Sequence, residues 1–162
     1  MIRIDKDNYY LDICETVLER GTCIRRNFAA IIVKNDEIIA TGYTGAPRGR
    51  KNCCDLGYCK REHLNVPRGT RYELCRSVHA EQNAIISSRR QDMIGTTMYL
   101  VGKEHKTGEY VNNASPCALC KRFIINSGIE KVIIRDTKTL YREINVTEWI
   151  ENDDSLDGEA AY

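Results

Sequence analysis

Proline is scarce in this chain of 162 residues: there are three, and no Pro/Gly/Ser tract forms a linker. Nothing therefore splits the sequence into separate bodies, and its length suits one compact domain over residues 1–162. An excess of charge of either sign is also missing. Lys and Arg number 24 against 23 Asp and Glu, for a formal net charge of +1. That balance gives no global field to hold a polyanion, so nucleic acid is not the expected partner, although local arginines can still bind a single phosphate. No run approaches the roughly 18 consecutive apolar residues of a membrane span. The opening Met1-Ile2-Arg3-Ile4-Asp5 lacks the apolar centre of a secretory signal. The expectation is a protein without membrane contact, in a reducing cytoplasm. Internal repeats and low-complexity tracts are absent as well.

Cysteine is plentiful: Cys14, Cys23, Cys53, Cys54, Cys59, Cys75, Cys117 and Cys120. In a small secreted domain such density points to disulfides. In a cytosolic chain of this length, clustered cysteines more often bind metal or do chemistry.

The hydrophobic spacing predicts a first helix over Asp7 to Arg20, with Tyr10, Ile13, Cys14, Val17 and Leu18 on one face and Gly21 as the stop. Phe28 to Lys34 and Glu37 to Tyr43 read as a hairpin around the turn pair Asn35-Asp36. Thr44 to Ser77 is irregular and rich in Gly, Arg and Cys, and a loop that long needs a function or a clamp. A second helix is expected from Val78 to Arg89, and a third strand over Thr97 to Val101. A polar excursion, Lys103 to Asn113, turns at Thr107-Gly108. A third helix is expected to start with Ser115 as N-cap and Pro116 in the first position, and to end near Gly128. Lys131 to Arg135 is a fourth strand, Glu143 to Ile150 a short strand or helix, and acidic Asp153 to Tyr162 a frayed end. Alternating strands and helices in the second half predict α/β layering on a mostly parallel sheet.

Two short motifs carry the chemistry. His79-Ala80-Glu81 opens the second helix, and Pro116-Cys117-Ala118-Leu119-Cys120 opens the third. Zinc is tetrahedral and takes imidazole and thiolate ligands, so His79, Cys117 and Cys120 would leave a fourth position for water, as a catalytic site needs. Two cysteines three apart face one side of a first helical turn, where free N–H groups and the helix dipole favour thiolates. Glu81 is of a type and at a spacing suited to proton transfer. A closed structural zinc site, completed by a fourth protein ligand, is the alternative, but it gives Glu81 no task.

With these motifs the chain resembles the zinc-dependent deaminases of the cytidine deaminase superfamily, whose signature is H-x-E with P-C-x-x-C. Within it, Gly42-Tyr43-Thr44-Gly45-Ala46-Pro47, the run Cys75 to Ile85 and Ile124-Ile125-Asn126-Ser127-Gly128-Ile129 are most similar to the deoxycytidylate (dCMP) deaminases. The resemblance implies a three-layer α/β fold with a mixed sheet of about five strands flanked by helices. It implies hydrolysis of dCMP to dUMP and ammonia by a zinc-activated hydroxide, with Glu81 as proton shuttle. It further implies a homo-oligomer, often a hexamer, activated by dCTP and inhibited by dTTP. One position departs from the family: Thr44 stands where relatives place an Asn near the sugar, keeping a hydroxyl but losing the amide's paired donor and acceptor.

Substrate-binding candidates are Thr44, Ala80, whose small side chain lets the ring approach, and the arginines Arg25, Arg26 and Arg48, with Arg50 and Lys51 behind them. A solvated basic face is the alternative for each of these cations. A second, structural zinc would order the Thr44 to Ser77 loop. The expected ligands are Cys23, Cys54, Cys59 and Cys75, with Cys53 and His63 as substitutes, and long-loop relatives share the Cys54-x4-Cys59 spacing. Free thiols are the alternative. Cys14 fits the apolar helix face, Tyr141 and Trp149 read as packing residues, and His105 as a solvated side chain. Other readings stay open: deamination of a free nucleoside, guanine, a riboflavin precursor or an RNA base, or a silent zinc-stabilised nucleotide-binding regulator.

Overall fold

A computed structural model describes residues 2–152, so the acidic end expected to fray lies outside the described residues. Helix α1 (Lys6–Leu18) starts where the Asp5 carboxylate accepts from the Asn8 N–H at 2.8 Å. Strands β1 (Arg26–Lys34) and β2 (Glu37–Tyr43) form the expected hairpin. Asn35 and Asp36 both take positive φ, as a tight two-residue hairpin turn requires. The long loop carries two single-turn helices, α2 (Cys53–Leu56) and α3 (Lys60–His63). Helices α4 (Ala80–Ile86) and α5 (Arg90–Met93), strand β3 (Thr97–Glu104), helix α6 (Ala118–Ser127), strands β4 (Lys131–Arg135) and β5 (Tyr141–Asn145), and helix α7 (Val146–Glu151) follow.

The strands join in the order β2-β1-β3-β4-β5. Only β3 and β4 run parallel, with Met98 opposite Val132, while the other three pairings are antiparallel. The sheet is therefore mixed, as the resemblance implies, and not mostly parallel. The βαβ alternation of the second half covers one strand pair, and β1 joins β3 the other way round. Alternation along β1 divides the core. Ala29, Ile31 and Val33 meet Tyr10, Leu11, Cys14 and Leu18 of α1 on one face. Ala30 and Ile32 meet Ala80, Ala84, Ile124 and Val146, from α4, α6 and α7, on the other. Each fully buried Leu or Ile among them contributes roughly 1.5–3 kcal/mol, and each Ala less.

Several boundaries differ from expectation, two of them at the helices that carry the motifs. The helix expected over Val78 to Arg89 is shorter: α4 runs from Ala80 to Ile86, Ser87 is its C-cap and donates its hydroxyl to the Asn83 carbonyl at 2.8 Å, and α5 starts beyond Arg89. Ser115 and Pro116 lie outside α6: Cys117 is the N-cap, in extended conformation, and Ala118 is the first helical residue. The extended backbone of Cys117 is what turns its thiol toward the neighbouring helix start. Cys14 is core, with its thiol donating to the Ala29 carbonyl at 3.1 Å. Trp149 packs against the cluster beneath α6, and Tyr141 donates its hydroxyl to Asp7 at 3.2 Å. His105 is exposed. Among the described residues, no helix is long and apolar enough to cross a membrane.

Candidate metal centre and its cavity

Helices α4 and α6 begin side by side under one end of the sheet. Helix α4 is pinned from three directions. Gly45 and Val78 exchange two backbone hydrogen bonds, of 2.7 and 3.3 Å, which fixes the residue before His79 to the end of β2. The Asn83 amide donates to the Tyr43 carbonyl at 2.8 Å. Gly42 lets the helix backbone approach so closely that a Cβ there would lie 2.3 Å from the Ala80 carbonyl oxygen and the Ala84 nitrogen. At the helix start, the His79 N–H donates to the Gln82 side chain at 3.3 Å.

This placement brings together His79, Cys117 and Cys120. His79 Nδ1 lies 3.6 Å from the Cys117 sulfur and 3.4 Å from the Cys120 sulfur, and all three donor atoms fall within 4.8 Å of one another. Tetrahedral zinc with ordinary Zn–S and Zn–N bonds puts sulfur and nitrogen about 3.6 Å apart. The donor set therefore fits zinc in spacing as well as type. Its electrostatics ask for a cation too. Cys120 and His79 hold the Cys117 thiol well below the usual range, whereas Cys117 and burial push Cys120 far up, so without a cation only one of the two ionises. Burial opposes a charge on His79, but Cys117 and Glu81 outweigh it and raise its pKa.

Glu81 is 4% exposed, and burial raises its carboxyl above the ordinary range despite His79. It shares with His79 and Cys117 a cavity of about 450 Å³. Phe28, Thr44 and Ala80 form one part of the lining, and Asn112 to Ser115, before α6, another. Thr44 is buried. Its hydroxyl accepts from the Phe28 N–H at 3.0 Å and returns a weaker bond to the Phe28 carbonyl at 3.4 Å, so it braces β1 beside the cavity. Arg25 and Arg26 line the cavity, paired to Glu62 at 3.0 Å and Glu104 at 2.7 Å. Arg48 is exposed and outside that lining.

Among the cavity residues that the sequence reading missed, three lie in the cysteine-rich loop and carry charge or an aromatic ring: Arg61, Arg68 and Tyr72. Tyr72 meets the His79 ring edge-on at 4.9 Å, and the Arg61 guanidinium lies 4.8 Å from the Tyr72 ring centroid. Their only sequence signal was membership of a loop too long to be idle.

The other loop thiols are unequal. Cys53 is buried and feels the Cys23 and Cys59 thiols; Cys75 feels Cys23 and Cys53. Cys54, expected as a ligand, is exposed and turned to the Asp55 carboxylate at 3.8 Å. His63 is exposed beside Tyr58. Among the described residues, the group of three or more donors within reach of one ion is His79, Cys117 and Cys120.

Residues 4–136 match the sequence model of the cytidine and deoxycytidylate deaminase zinc-binding region. The chain is 35% identical over 138 residues to the deoxycytidylate deaminase of Mycobacterium phage D29, spanning 82% of this chain and 96% of that one. It is 30% identical over 127 residues to the deoxycytidylate deaminase of Schizosaccharomyces pombe, spanning 78% of this chain but only 36% of the yeast protein. The crystal structure of the dCMP deaminase from cyanophage S-TIM5 in apo form superposes with a TM-score of 0.56 at 26% identity, covering 83% of this chain and 85% of that one.

Proposed function

We propose, since the chain belongs to the cytidine and deoxycytidylate deaminase family, that it hydrolyses dCMP to dUMP and releases ammonia. The observation that carries this reading is a buried carboxyl, Glu81, beside a three-ligand zinc donor set in one arginine-bordered cavity. Relatives named deoxycytidylate deaminase support the choice of substrate.

His79, Cys117 and Cys120 would hold zinc, which would supply the Lewis acidity that brings the pKa of a water from ~16 toward ~7. Glu81 moves the protons. As a carboxylate it takes one from the attacking water and delivers it to the pyrimidine N3, then carries a second from the hydroxyl added at C4 to the departing amino group, and its raised pKa makes it a ready donor in both deliveries. Burial keeps that proton from leaking to solvent. Ala80, with only a methyl as side chain, lets the base approach, and the Thr44 hydroxyl acts through Phe28, which it holds against the cavity. Arg25 and Arg26 supply positive charge on the substrate's side, tempered by Glu62 and Glu104.

The same reading treats residues 1–162 as one deaminase domain in the cytoplasm, where eight free cysteines are at home. It includes a second zinc in the cysteine-rich loop. Cys23, Cys59 and Cys75 are the preferred ligands, and Cys53 serves better than Cys54 because it is buried among the other thiols. Assembly into a homo-oligomer with dCTP and dTTP as effectors completes the reading. The test is ammonia release from dCMP, CMP, deoxycytidine, dCTP and guanine, with and without added dCTP. Fastest turnover of dCMP supports the reading, and none from dCMP beside turnover of another compound replaces it.

A further inference from the structure

We propose that Arg68 reads the phosphate of the nucleotide and that Arg61 is the positioning residue that aims it; this rests on the substrate reading above. Four arginines line the cavity: Arg25, Arg26, Arg61 and Arg68. Three are committed within the protein. Arg25 and Arg26 are ion-paired to Glu62 and Glu104. Arg61 is 6% exposed, and its Nη2 donates to the carbonyls of Pro67 at 3.0 Å and Thr70 at 2.6 Å. Arg68 is exposed at the cavity and makes no hydrogen bond or ion pair among the described residues.

The turn beneath Arg68 is built to hold it. Pro67-Arg68-Gly69-Thr70 reverses the chain through the left-handed Gly69 (φ +75). The Thr70 hydroxyl closes it onto the Pro67 carbonyl at 2.9 Å, and Arg61 bridges both ends from inside. That bridge leaves Arg61 Nε buried with no hydrogen-bond partner. A buried arginine spent on two carbonyls of one surface turn fixes the turn's geometry, since its planar fork reaches both at once.

A phosphate dianion is recognised most strongly by a guanidinium that no carboxylate has already neutralised. Arg25 and Arg26 must give up Glu62 and Glu104 to offer that; Arg68 gives up only water. A nucleoside, lacking phosphate, gains nothing from Arg68. Phosphate specificity thus sits on the cysteine-rich loop and not at the start of β1, where Arg25 and Arg26 lie.

The experiment compares wild type, Arg68→Ala, Arg61→Ala, Arg61→Lys and the double alanine variant. It measures kcat and KM for dCMP and deoxycytidine by ammonia release, and Kd for dUMP and deoxyuridine by calorimetry. Arg68→Ala should weaken dCMP relative to deoxycytidine, through KM, and dUMP relative to deoxyuridine, on the order of 10- to 100-fold. Arg61→Ala should shift the same ratios, Arg61→Lys should not rescue them, and the double variant should add little to Arg68→Ala. Unchanged ratios in Arg68→Ala, with wild type deaminating dCMP, overturn the proposal. So does an equal loss for nucleoside and nucleotide. Wild type that releases no ammonia from dCMP defeats the substrate reading instead, and the dUMP and deoxyuridine affinities still decide the role of Arg68. Arg68 is exposed, so its variant folds whether or not Arg61→Ala does.

Discussion

Replacing Gly42 with alanine tests how tightly the catalytic helix is set. The new methyl would stand 2.3 Å from both the Ala80 carbonyl oxygen and the Ala84 nitrogen, where ordinary contact begins near 3.4 Å. Both opposing atoms are backbone, so no side chain can swing aside, and α4 must retreat from β2 by about 1 Å. That helix begins next to His79 and contains Glu81, while Cys117 and Cys120 stay on α6. A misplacement of this size costs ~100-fold in rate. Overpacking costs about 1–3 kcal/mol, offset by ~0.5–1 kcal/mol from the stiffer residue. The net loss of about 1–2 kcal/mol should lower the urea midpoint by roughly 0.5–1 M. Ammonia release, zinc content and urea titration measure the three effects. Gly95→Ala is the control: its positive φ of 79° strains the backbone by ~1–2 kcal/mol, but the nearest atom is a distant Glu130 carboxylate oxygen at 3.8 Å. It should lose stability and keep kcat/KM. If Gly42→Ala keeps kcat/KM within threefold, β2 does not set the position of Glu81, and the account of the site's assembly is wrong.

Glu81→Ala should retain bound zinc and lose ammonia release by on the order of 10²–10⁴-fold; normal turnover would remove Glu81 from the mechanism. Metal analysis of carefully purified protein should find two zinc ions per chain, falling to one in Cys53→Ser and holding at two in Cys54→Ser; one in the wild type refutes the second site. Arg135, fully buried, donates to Asp12 at 2.7 Å and Glu15 at 2.8 Å and ties β4 to α1, so Arg135→Met should cost about 3 kcal/mol. Lys138 and Arg135 hold the Asp12 carboxyl low; burial raises Glu15, but Lys103, Arg135 and Tyr110 outweigh it. Both folded pKa values lie below the unfolded ones, so this stabilisation is complete above about pH 4.5 and fades as pH falls through the folded values. The urea midpoint should drop with acidification in that range, and less steeply in Arg135→Met.

The metal ligands and Glu81 were legible because their chemistry is local: a few residues at fixed spacing, each at a helix start. The hairpin was legible from β-branched runs around Asn35-Asp36, and β4 from its short apolar run. Strand direction was not, since the residues of β1 look the same whether β3 runs with it or against it, and only tertiary packing decides. The end of α4 at Ile86 was not legible either, because Ser87-Ser88-Arg89 carries no Gly or Pro stop signal. Cys53 and Cys54 are adjacent and of one type, so sequence could not say which faces inward. Arg61, Arg68 and Tyr72 escaped for a related reason: an irregular loop has no period, and nothing in it reveals which side chains fold back over the cavity.

The two hydrogen bonds between Gly45 and Val78 have a consequence for engineering. They draw both ends of the cysteine-rich segment together at a neck, while Thr22, Arg25 and His79 touch residues further along it. The entropy of closing a loop grows only slowly with its length, so segments of very different size can be spliced at this neck at similar cost. A replacement must therefore also supply partners for Thr22, Arg25 and the His79 ring. Changes of length confined to its outer turns would retune what the cavity accepts and leave Tyr72 against His79.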